Sequence, residues 1–271
     1  MNKSITKYIE RVRYDPYAVE SIPSHILNSK EFVLNAITFS PKHLQLVISN
    51  LHNFNSELLD DKDLMMKVVH EGGTALRYAS LRLKDDDELV FTAIKNNFDA
   101  FPDASLRIKG NKDLALFVIQ REYRYLNYVP LELRKDESFI KKAVGVNGFS
   151  LLYASKNLKD NDEIVDIAVT TTPRSLLFAS KRLISDENLA LKAVTNDPSL
   201  YEDLPAKIRE NKKLALIAYK HDEINSDYFP TSLRREIGNN DVITYLEAAI
   251  LRTELNSEII TNIEKTKKIK I

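Results

Sequence analysis

The sequence contains no cysteine, which excludes disulfide bonds, zinc–thiolate sites, iron–sulfur clusters and a cysteine nucleophile. It has only 6 glycines in 271 residues, few for a chain of many sheets and tight turns. Neither sign of charge is in excess, since 39 lysines and arginines balance 39 aspartates and glutamates. A chain of zero net charge lacks the broad positive field of a dedicated nucleic-acid or acidic-membrane binder.

Long apolar segments are also missing. The first residues, MNKSITKYIERVRYDPY, lack the apolar core of a secretory signal, and runs such as Leu114–Ile119 are too short to span a bilayer. We therefore expect a soluble, cytoplasmic protein without a membrane partner.

The sequence does contain an internal repeat of 25 residues. An aliphatic residue, here called the anchor, recurs at this interval: Leu58, Leu83, Ile108, Leu133, Leu158, Leu183, Ile208 and Leu233. A second apolar column follows each anchor by six residues: Leu64, Leu89, Leu114, Phe139, Ile164, Leu189 and Leu214. A third, mostly small column lies four residues further on: Val68, Ala93, Val118, Ala143, Ala168, Ala193 and Ala218.

One more unit lies upstream, because Ile26, Phe32 and Ala36 reproduce the three columns. Its anchor precedes Leu58 by 32 residues instead of 25, which predicts an insertion near residues 39–50.

Each unit is predicted to be helical. Three residues after the anchor stands a residue type that favours a helix N-cap: Ser29, Asp61, Asp86, Asn111, Asp136, Asn161, Asp186 and Asn211. Acidic residues such as Asp87 and Glu88 follow, where they suit the positive end of the helix dipole. Apolar residues then recur at helical spacing, so a helix begins at each cap. A second short helix and a brief turn that carries the next anchor complete the unit.

A unit of this size cannot bury its apolar face alone, so neighbouring units must stack. We predict an all-α fold: an α-solenoid of eight to nine 25-residue helical-hairpin repeats with N- and C-terminal capping helices. It would form a single elongated domain, with residues 1–20 as N-terminal cap and 21–235 as repeats. Residues 240–262 would form the C-terminal capping helix, followed by a basic tail at 263–271.

Three segments carry a family resemblance. LLYASKNLKDNDEIVDIAV (151–169), LLFASKRLISDENLALKAV (176–194) and ALRYASLRLKDDDELVFTAI (75–94) resemble the repeats of domain of unknown function 4116. The resemblance extends over residues 20–235 and departs from the pattern at YEDLPAKIRENKK (201–213) and around residues 38–55. It implies a tandem helical repeat with an interaction role and no catalytic motif. It also suggests an effector or phage-type protein that binds and blocks a host protein, in the host cytosol if it is translocated.

No motif for chemistry is found. The sequence has no phosphate-binding glycine loop, no His-Glu-x-x-His and no nucleophile elbow. His25, His43, His52 and His70 do not share the spacing that places two metal ligands on one helix face. We therefore predict no catalytic residues, no metal, no cofactor and no enzymatic activity. An enzyme with a site in the irregular 38–72 region is the less favoured alternative.

Residues in the turns between helices vary, whereas the columns have structural roles, so we expect a protein partner to bind at the turns. The candidates are Phe98, Tyr123, Arg124, Tyr125, Phe149 and Arg174. An aromatic column five residues before the anchor is interpreted as packing between repeats, with a peptide-binding strip as the alternative: Tyr78, Tyr128, Tyr153, Phe178 and Tyr228.

A basic residue follows most anchors, at Lys84, Lys109, Arg134, Lys159, Arg209 and Arg234. As a ladder along one edge of the solenoid, these residues could bind the phosphates of a nucleic acid. The structural interpretation is pairing with nearby acids such as Asp85 and Asp160 and with helix C-termini. Zero net charge favours the structural interpretation over nucleic-acid binding.

Overall fold

The structure, a computed structural model, describes residues 3–36 and 55–269. Within these ranges the secondary structure is helical and contains no strand, which confirms the all-α class and the helical repeat. The insertion predicted near residues 39–50 lies outside the described residues. The chain divides into two compact parts, here called the first unit (Met1–Leu133) and the second unit (Arg134–Ile271). The 25-residue segments are called repeats from here on.

Three kinds of helix follow one another in each 25-residue repeat. A cap helix begins after each N-cap residue, a six-residue 3-10 helix follows it, and a short anchor helix carries the next anchor. The second helix of the predicted hairpin is therefore a 3-10 helix. Its tighter hydrogen bonding suits a short connector, because a 3-10 turn rises further per residue than an α-turn.

The first unit opens with an α-helix at Lys3–Tyr14 and a 3-10 helix at Pro16–Ser21. Its cap helices are Lys30–Ala36, Lys62–Glu71, Asp87–Asn96 and Lys112–Ile119. Its other 3-10 helices are Gly73–Tyr78, Phe98–Asp103 and Tyr123–Tyr128. Its anchor helices are Ser24–Leu27, Ser56–Leu59, Leu83–Asp85 and Leu106–Lys109, of which Leu83–Asp85 is itself 3-10.

The anchor helix Leu131–Arg134 stands at the boundary between the units in sequence. The cap helices of the second unit are Glu137–Val146, Asp162–Thr171, Glu187–Asn196 and Lys212–His221. Its 3-10 helices are Gly148–Tyr153, Pro173–Phe178, Pro198–Asp203 and Glu223–Tyr228. Its anchor helices are Leu158–Asp160 (3-10), Lys181–Ile184, Ala206–Arg209 and Thr231–Ile237.

The predicted N-caps are confirmed. From Asp61 onward, each of the seven cap residues accepts a hydrogen bond from the backbone N–H three residues later. The distance from acceptor to nitrogen ranges from 2.7 Å at Asp136 to 3.4 Å at Asn211. Such a cap contributes about 1 kcal/mol to helix stability, so the residue type at this position decides where each helix begins.

The three apolar columns form the core of each unit. Every anchor from Leu58 to Leu233 is buried, as is every residue of the small third column. The second column is buried except at Leu114 and Leu189, which are half-buried. The 25-residue period therefore marks the residues that neighbouring repeats cover.

Adjacent repeats also share backbone contacts. A serine three residues before the anchor donates its N–H to a carbonyl of the preceding anchor helix: Ser80 to Leu59, Ser105 to Lys84, Ser155 to Arg134 and Ser180 to Lys159. The N–H to oxygen distances lie between 2.8 and 3.2 Å. Where proline occupies this position, at residues 130, 205 and 230, the donor is missing.

The final helix spans Val242–Ile269 and departs from the 25-residue repeat. It is longer than the capping helix expected at residues 240–262, because it continues through most of the segment expected to be a basic tail. Leu246 is fully buried, whereas residues 251–261 are exposed.

Candidate protein-binding site

Three phenylalanine rings form a cluster in the first unit, here called the Phe patch: Phe91 and Phe117, which are exposed, and Phe98, which is half-buried. Phe91 lies on the cap helix Asp87–Asn96, Phe98 opens the following 3-10 helix, and Phe117 lies on the next cap helix. The ring centroids are 5.4 Å apart for Phe98 and Phe117, and 6.4 Å apart for Phe91 and Phe117. The exposed fractions are 42% for Phe91 and 38% for Phe117. These two large apolar rings therefore face solvent, although phenylalanine is usually buried.

Two cations flank the Phe patch. The Lys95 Nζ lies 4.7 Å from the centroid of the Phe91 ring, and the Arg121 guanidinium lies 5.5 Å from that of Phe98. Lysine and arginine at such distances are attracted to the negative face of the ring. The patch therefore combines apolar area with positive charge, an arrangement suited to an apolar side chain flanked by carboxylates.

The predicted cluster Tyr123, Arg124 and Tyr125 opens a 3-10 helix and divides into two roles. The Arg124 guanidinium lies 5.8 Å from the centroid of the Tyr123 ring, on the exposed side of the helix. Tyr125 is half-buried and contacts the preceding repeat, where its hydroxyl donates to Asp99 at 2.7 Å and its ring meets Phe101 edge-on. Burial, and then the bond to Asp99, raise the pKa of Tyr125. Tyr125 thus joins one repeat to the preceding one.

Phe149 and Arg174, the predicted candidates of the second unit, also contact the following repeat. The Phe149 ring meets Phe178 edge-on at 5.9 Å, and both rings are half-buried. The Arg174 guanidinium donates to Ser199 at 3.2 Å and pairs with Asp203. Of the six predicted candidates, Phe98 alone belongs to the Phe patch.

The aromatic column is only partly covered. Tyr78, Tyr153 and Phe178 are half-buried, while Tyr128 and Tyr228 are 44% and 38% exposed. This agrees with rings that pack between repeats and keep their polar edge in solvent.

Lysines of the basic column bind backbone carbonyls of the same repeat in the first unit. The Lys84 Nζ donates to the Arg77 carbonyl at 2.6 Å, and the Lys109 Nζ to the Pro102 carbonyl at 2.9 Å. Both carbonyls belong to a 3-10 helix near its C-terminus, where unpaired carbonyls attract a cation. Burial lowers the pKa of the Lys109 amine.

The column behaves similarly in the second unit. Burial lowers the pKa of the Lys159 amine, and Arg209 donates to the carbonyls of Leu204 and Tyr228. Arg134 is half-buried and Arg234 is exposed. These contacts favour the structural interpretation of the basic column over a phosphate-binding ladder. The basic side chains bind backbone carbonyls, however, and not the carboxylates of Asp85 and Asp160 that we expected.

Asp85 and Asp160 belong instead to a contact that sequence reasoning missed, here called the Ser–Asp–Arg clamp. An aspartate at the C-terminal end of one anchor helix accepts hydrogen bonds from a serine hydroxyl and an arginine Nε at the start of the next anchor helix. The clamps are Asp60 with Ser80 and Arg82, Asp85 with Ser105 and Arg107, and Asp160 with Ser180 and Arg182. The Arg Nε to Asp Oδ1 distances are 3.0, 2.9 and 3.0 Å.

The clamps affect the acidity of their aspartates. The serine hydroxyl first, and the arginine second, hold the pKa of Asp60, Asp85 and Asp160 below the usual value, because both donate to the charged carboxylate. Asp86 and Asn161 therefore act as N-caps, whereas Asp85 and Asp160, one residue before them, bind the arginine of the next anchor helix.

A recurring pattern could have revealed the clamp. The aspartate and the arginine stand 22 residues apart in all three clamps, a spacing that a search for columns would find. Phe117 also had a signal, since the apolar run Leu114–Ile119 is too continuous for one face of a helix to bury.

Within the described ranges, no three His, Asp or Glu side chains are arranged to hold a metal ion. The described helices likewise include none that is both long enough and apolar enough to cross a membrane. Of the irregular 38–72 region, residues 38–54 are outside the description, including His43 and His52.

The comparison with protein families gives three consecutive matches. The family described as Domain of unknown function (DUF4116) matches residues 61–109, 111–159 and 138–184. Residues 61–184 thus match this family as a tandem repeat, which confirms the resemblance over that part of the chain. No curated protein and no solved structure matches the chain.

The DUF4116 matches share the phase of the structural repeat. The first two begin at the cap residues Asp61 and Asn111 and end at Lys109 and Lys159, each directly after an anchor. One DUF4116 match therefore holds two cap helices and two anchors, which is two of the 25-residue units. The resemblance predicted for residues 20–60 and 185–235 extends beyond these matches and stays a prediction.

Proposed function

We propose that this protein is a non-catalytic scaffold that binds another protein through the Phe patch of the first unit. The observation that carries the proposal is the exposure of two of its rings, each held by contacts with further aromatic or cationic side chains. Aromatic and arginine side chains dominate the binding energy of protein interfaces, because they bury large area at little cost in conformational entropy.

The partner class follows from the charges beside the rings. Lys95 and Arg121 favour a partner segment in which an apolar side chain is flanked by aspartate or glutamate. An effector or phage-type protein that blocks a host protein is the setting that the family resemblance suggests, and a surface of this kind suits that role.

Selection from a phage-displayed random peptide library tests the proposal with a defined probe. We expect the peptides selected on the wild-type protein to carry an apolar residue near acidic residues. Their affinity should fall at least about tenfold, or about 1.4 kcal/mol, in a Phe91→Ala/Phe117→Ala double variant.

Leu106→Ala is the matched control, because Leu106 is a 71% exposed apolar residue of the same unit. Equal affinity of the selected peptides for the double variant and the wild type would reject the Phe patch as the binding site. Circular dichroism and thermal melting should show both variants folded, since all three side chains are exposed.

A further inference from the structure

The 3-10 helix Glu223–Tyr228 of the second unit presents an isoleucine among acidic side chains. Ile224 is 64% exposed. Asp222 and Glu223 directly precede it, Asp227 follows three residues later, and all three carboxylates are exposed. Because side chains three residues apart on a 3-10 helix lie above one another, Ile224 and Asp227 share one face. Residues 222–228, here called the Ile224 segment, thus combine an exposed apolar side chain with negative charge.

The backbone of the Ile224 segment is held by hydrogen bonds at both its start and its buried side. The Asp222 carboxylate caps the helix and accepts from the Ile224 N–H at 3.0 Å. Asn225 is buried, and its side-chain amide donates to the carbonyls of Ala218 and Asp222 at 2.9 and 3.0 Å. A segment ordered in this way loses little conformational entropy when it binds a partner.

The charges of the Ile224 segment and of the Phe patch are opposite and have no partner within the described chain. Among residues 3–36 and 55–269, no basic side chain forms an ion pair with Asp222, Glu223 or Asp227. Over the same ranges Lys95 and Arg121 pair with no carboxylate, and each lies instead over a phenylalanine ring. Elsewhere in the second unit, ion pairs join neighbouring repeats.

Other exposed apolar residues match the Phe patch less well. Leu81 and Leu106 are 85% and 71% exposed, but each is directly followed by the arginine of a clamp. A positive charge beside the apolar side chain would meet Lys95 and Arg121 of the Phe patch, and like charges repel. The acidic surroundings of Ile224 are those that the Phe patch favours.

From this complementarity we infer that the Phe patch of one copy binds the Ile224 segment of a second copy. The inference rests on the proposed function, because it names the partner of the same patch. Ile224 contacts the rings, and the carboxylates beside it face Lys95 and Arg121. The contact is heterologous, so a dimer retains one unused surface of each kind and can add further copies. Both surfaces are small beside the about 1,200 Å² of a stable interface, so association is weak and depends on concentration.

Sedimentation velocity over a range of concentrations tests the inference. The sedimentation coefficient of the wild type should rise with concentration. Ile224→Lys alone and Phe91→Ala/Phe117→Ala alone should each associate at least about tenfold more weakly, because each lacks one of the two surfaces. Leu106→Lys is the matched control: it places the same charge at a 71% exposed leucine outside both surfaces, and it should associate like the wild type.

Mixing the two defective variants identifies the occupant as a second copy. Ile224→Lys keeps its Phe patch and Phe91→Ala/Phe117→Ala keeps its Ile224 segment, so an equimolar mixture should form a dimer with one copy of each and nothing larger. A wild type or a mixture that stays monomeric at every concentration would overturn the inference, as would full association of Ile224→Lys by itself. If the wild type stays monomeric but the selected peptides still bind at the Phe patch, this inference fails and the proposed function stands.

Discussion

Two successive contacts between adjacent repeats of the second unit, here called junctions, differ in their hydrogen bonds. At one junction, Asp160, Ser180 and Arg182 form a clamp in addition to the backbone bond from Ser180 to Lys159. At the other, the corresponding residues are Lys135, Ser155 and Asn157, and the backbone bond from Ser155 to Arg134 remains at 3.2 Å. Both junctions have the same buried columns. Apolar burial and backbone contact thus hold the repeats together, and the clamp is an addition that individual junctions can lose.

The largest effect should come from a glycine that lies against the backbone of the next repeat. A Cβ added at Gly148 would lie 2.3 Å from the Ala168 carbonyl oxygen, which belongs to the next cap helix and cannot move aside easily. We expect Gly148→Ala to lower the free energy of unfolding by about 1–3 kcal/mol or more, as seen by chemical denaturation.

Gly145 supplies the control for this prediction. A Cβ there would meet only the Ile167 side chain, at 3.9 Å, and Gly145 lies inside a cap helix. Gly145→Ala should therefore raise the stability, by up to about 1 kcal/mol. If both variants behaved alike, close packing between repeats at Gly148 would not be the cause.

A smaller loss is expected when a clamp is broken. Asp160→Asn keeps the shape of the side chain but removes its charge, so we expect a modest fall in melting temperature at neutral pH. The pKa of Asp160 is lower in the folded protein, so its contribution is present above the unfolded pKa of about 3.9 and is lost as the pH falls through the folded pKa.

The difference in melting temperature between the wild type and Asp160→Asn should accordingly shrink as the pH is lowered through this acidic range. Glu57→Gln, at an exposed carboxylate outside the clamps, should change the melting temperature less. A difference that did not vary with pH would show that the charge of Asp160 has no part in the clamp.

The smallest effect should come from installing a clamp where none exists. Ser155 is already in place, so Lys135→Asp/Asn157→Arg would complete the set. The double variant should melt slightly higher than the sum of the single variants predicts, and a double-mutant cycle measures this coupling. Strictly additive effects would mean that the clamp geometry needs more than its three residues.

Much of the fold could be predicted because it depends on residue types and spacings within one repeat. Asp86 and Asn111 mark helix starts through residue type alone, and the buried columns follow from a fixed interval. The partners of Tyr125 and Arg174 could not be predicted in this way. Each side chain reaches a residue about one repeat away, and which neighbour it meets depends on how the repeats are stacked.

The sequence by itself determined the period, the caps and the buried columns of this protein, because each depends on residue type and spacing within one repeat. The tertiary structure decided which of the remaining side chains contact other residues and which are exposed to solvent. It turned Lys84 and Lys109 inward to carbonyls and joined Asp85 to Arg107. It also left Phe91 and Phe117 of the Phe patch in solvent. That division rests on packing between repeats, where contacts join residues more than 20 positions apart.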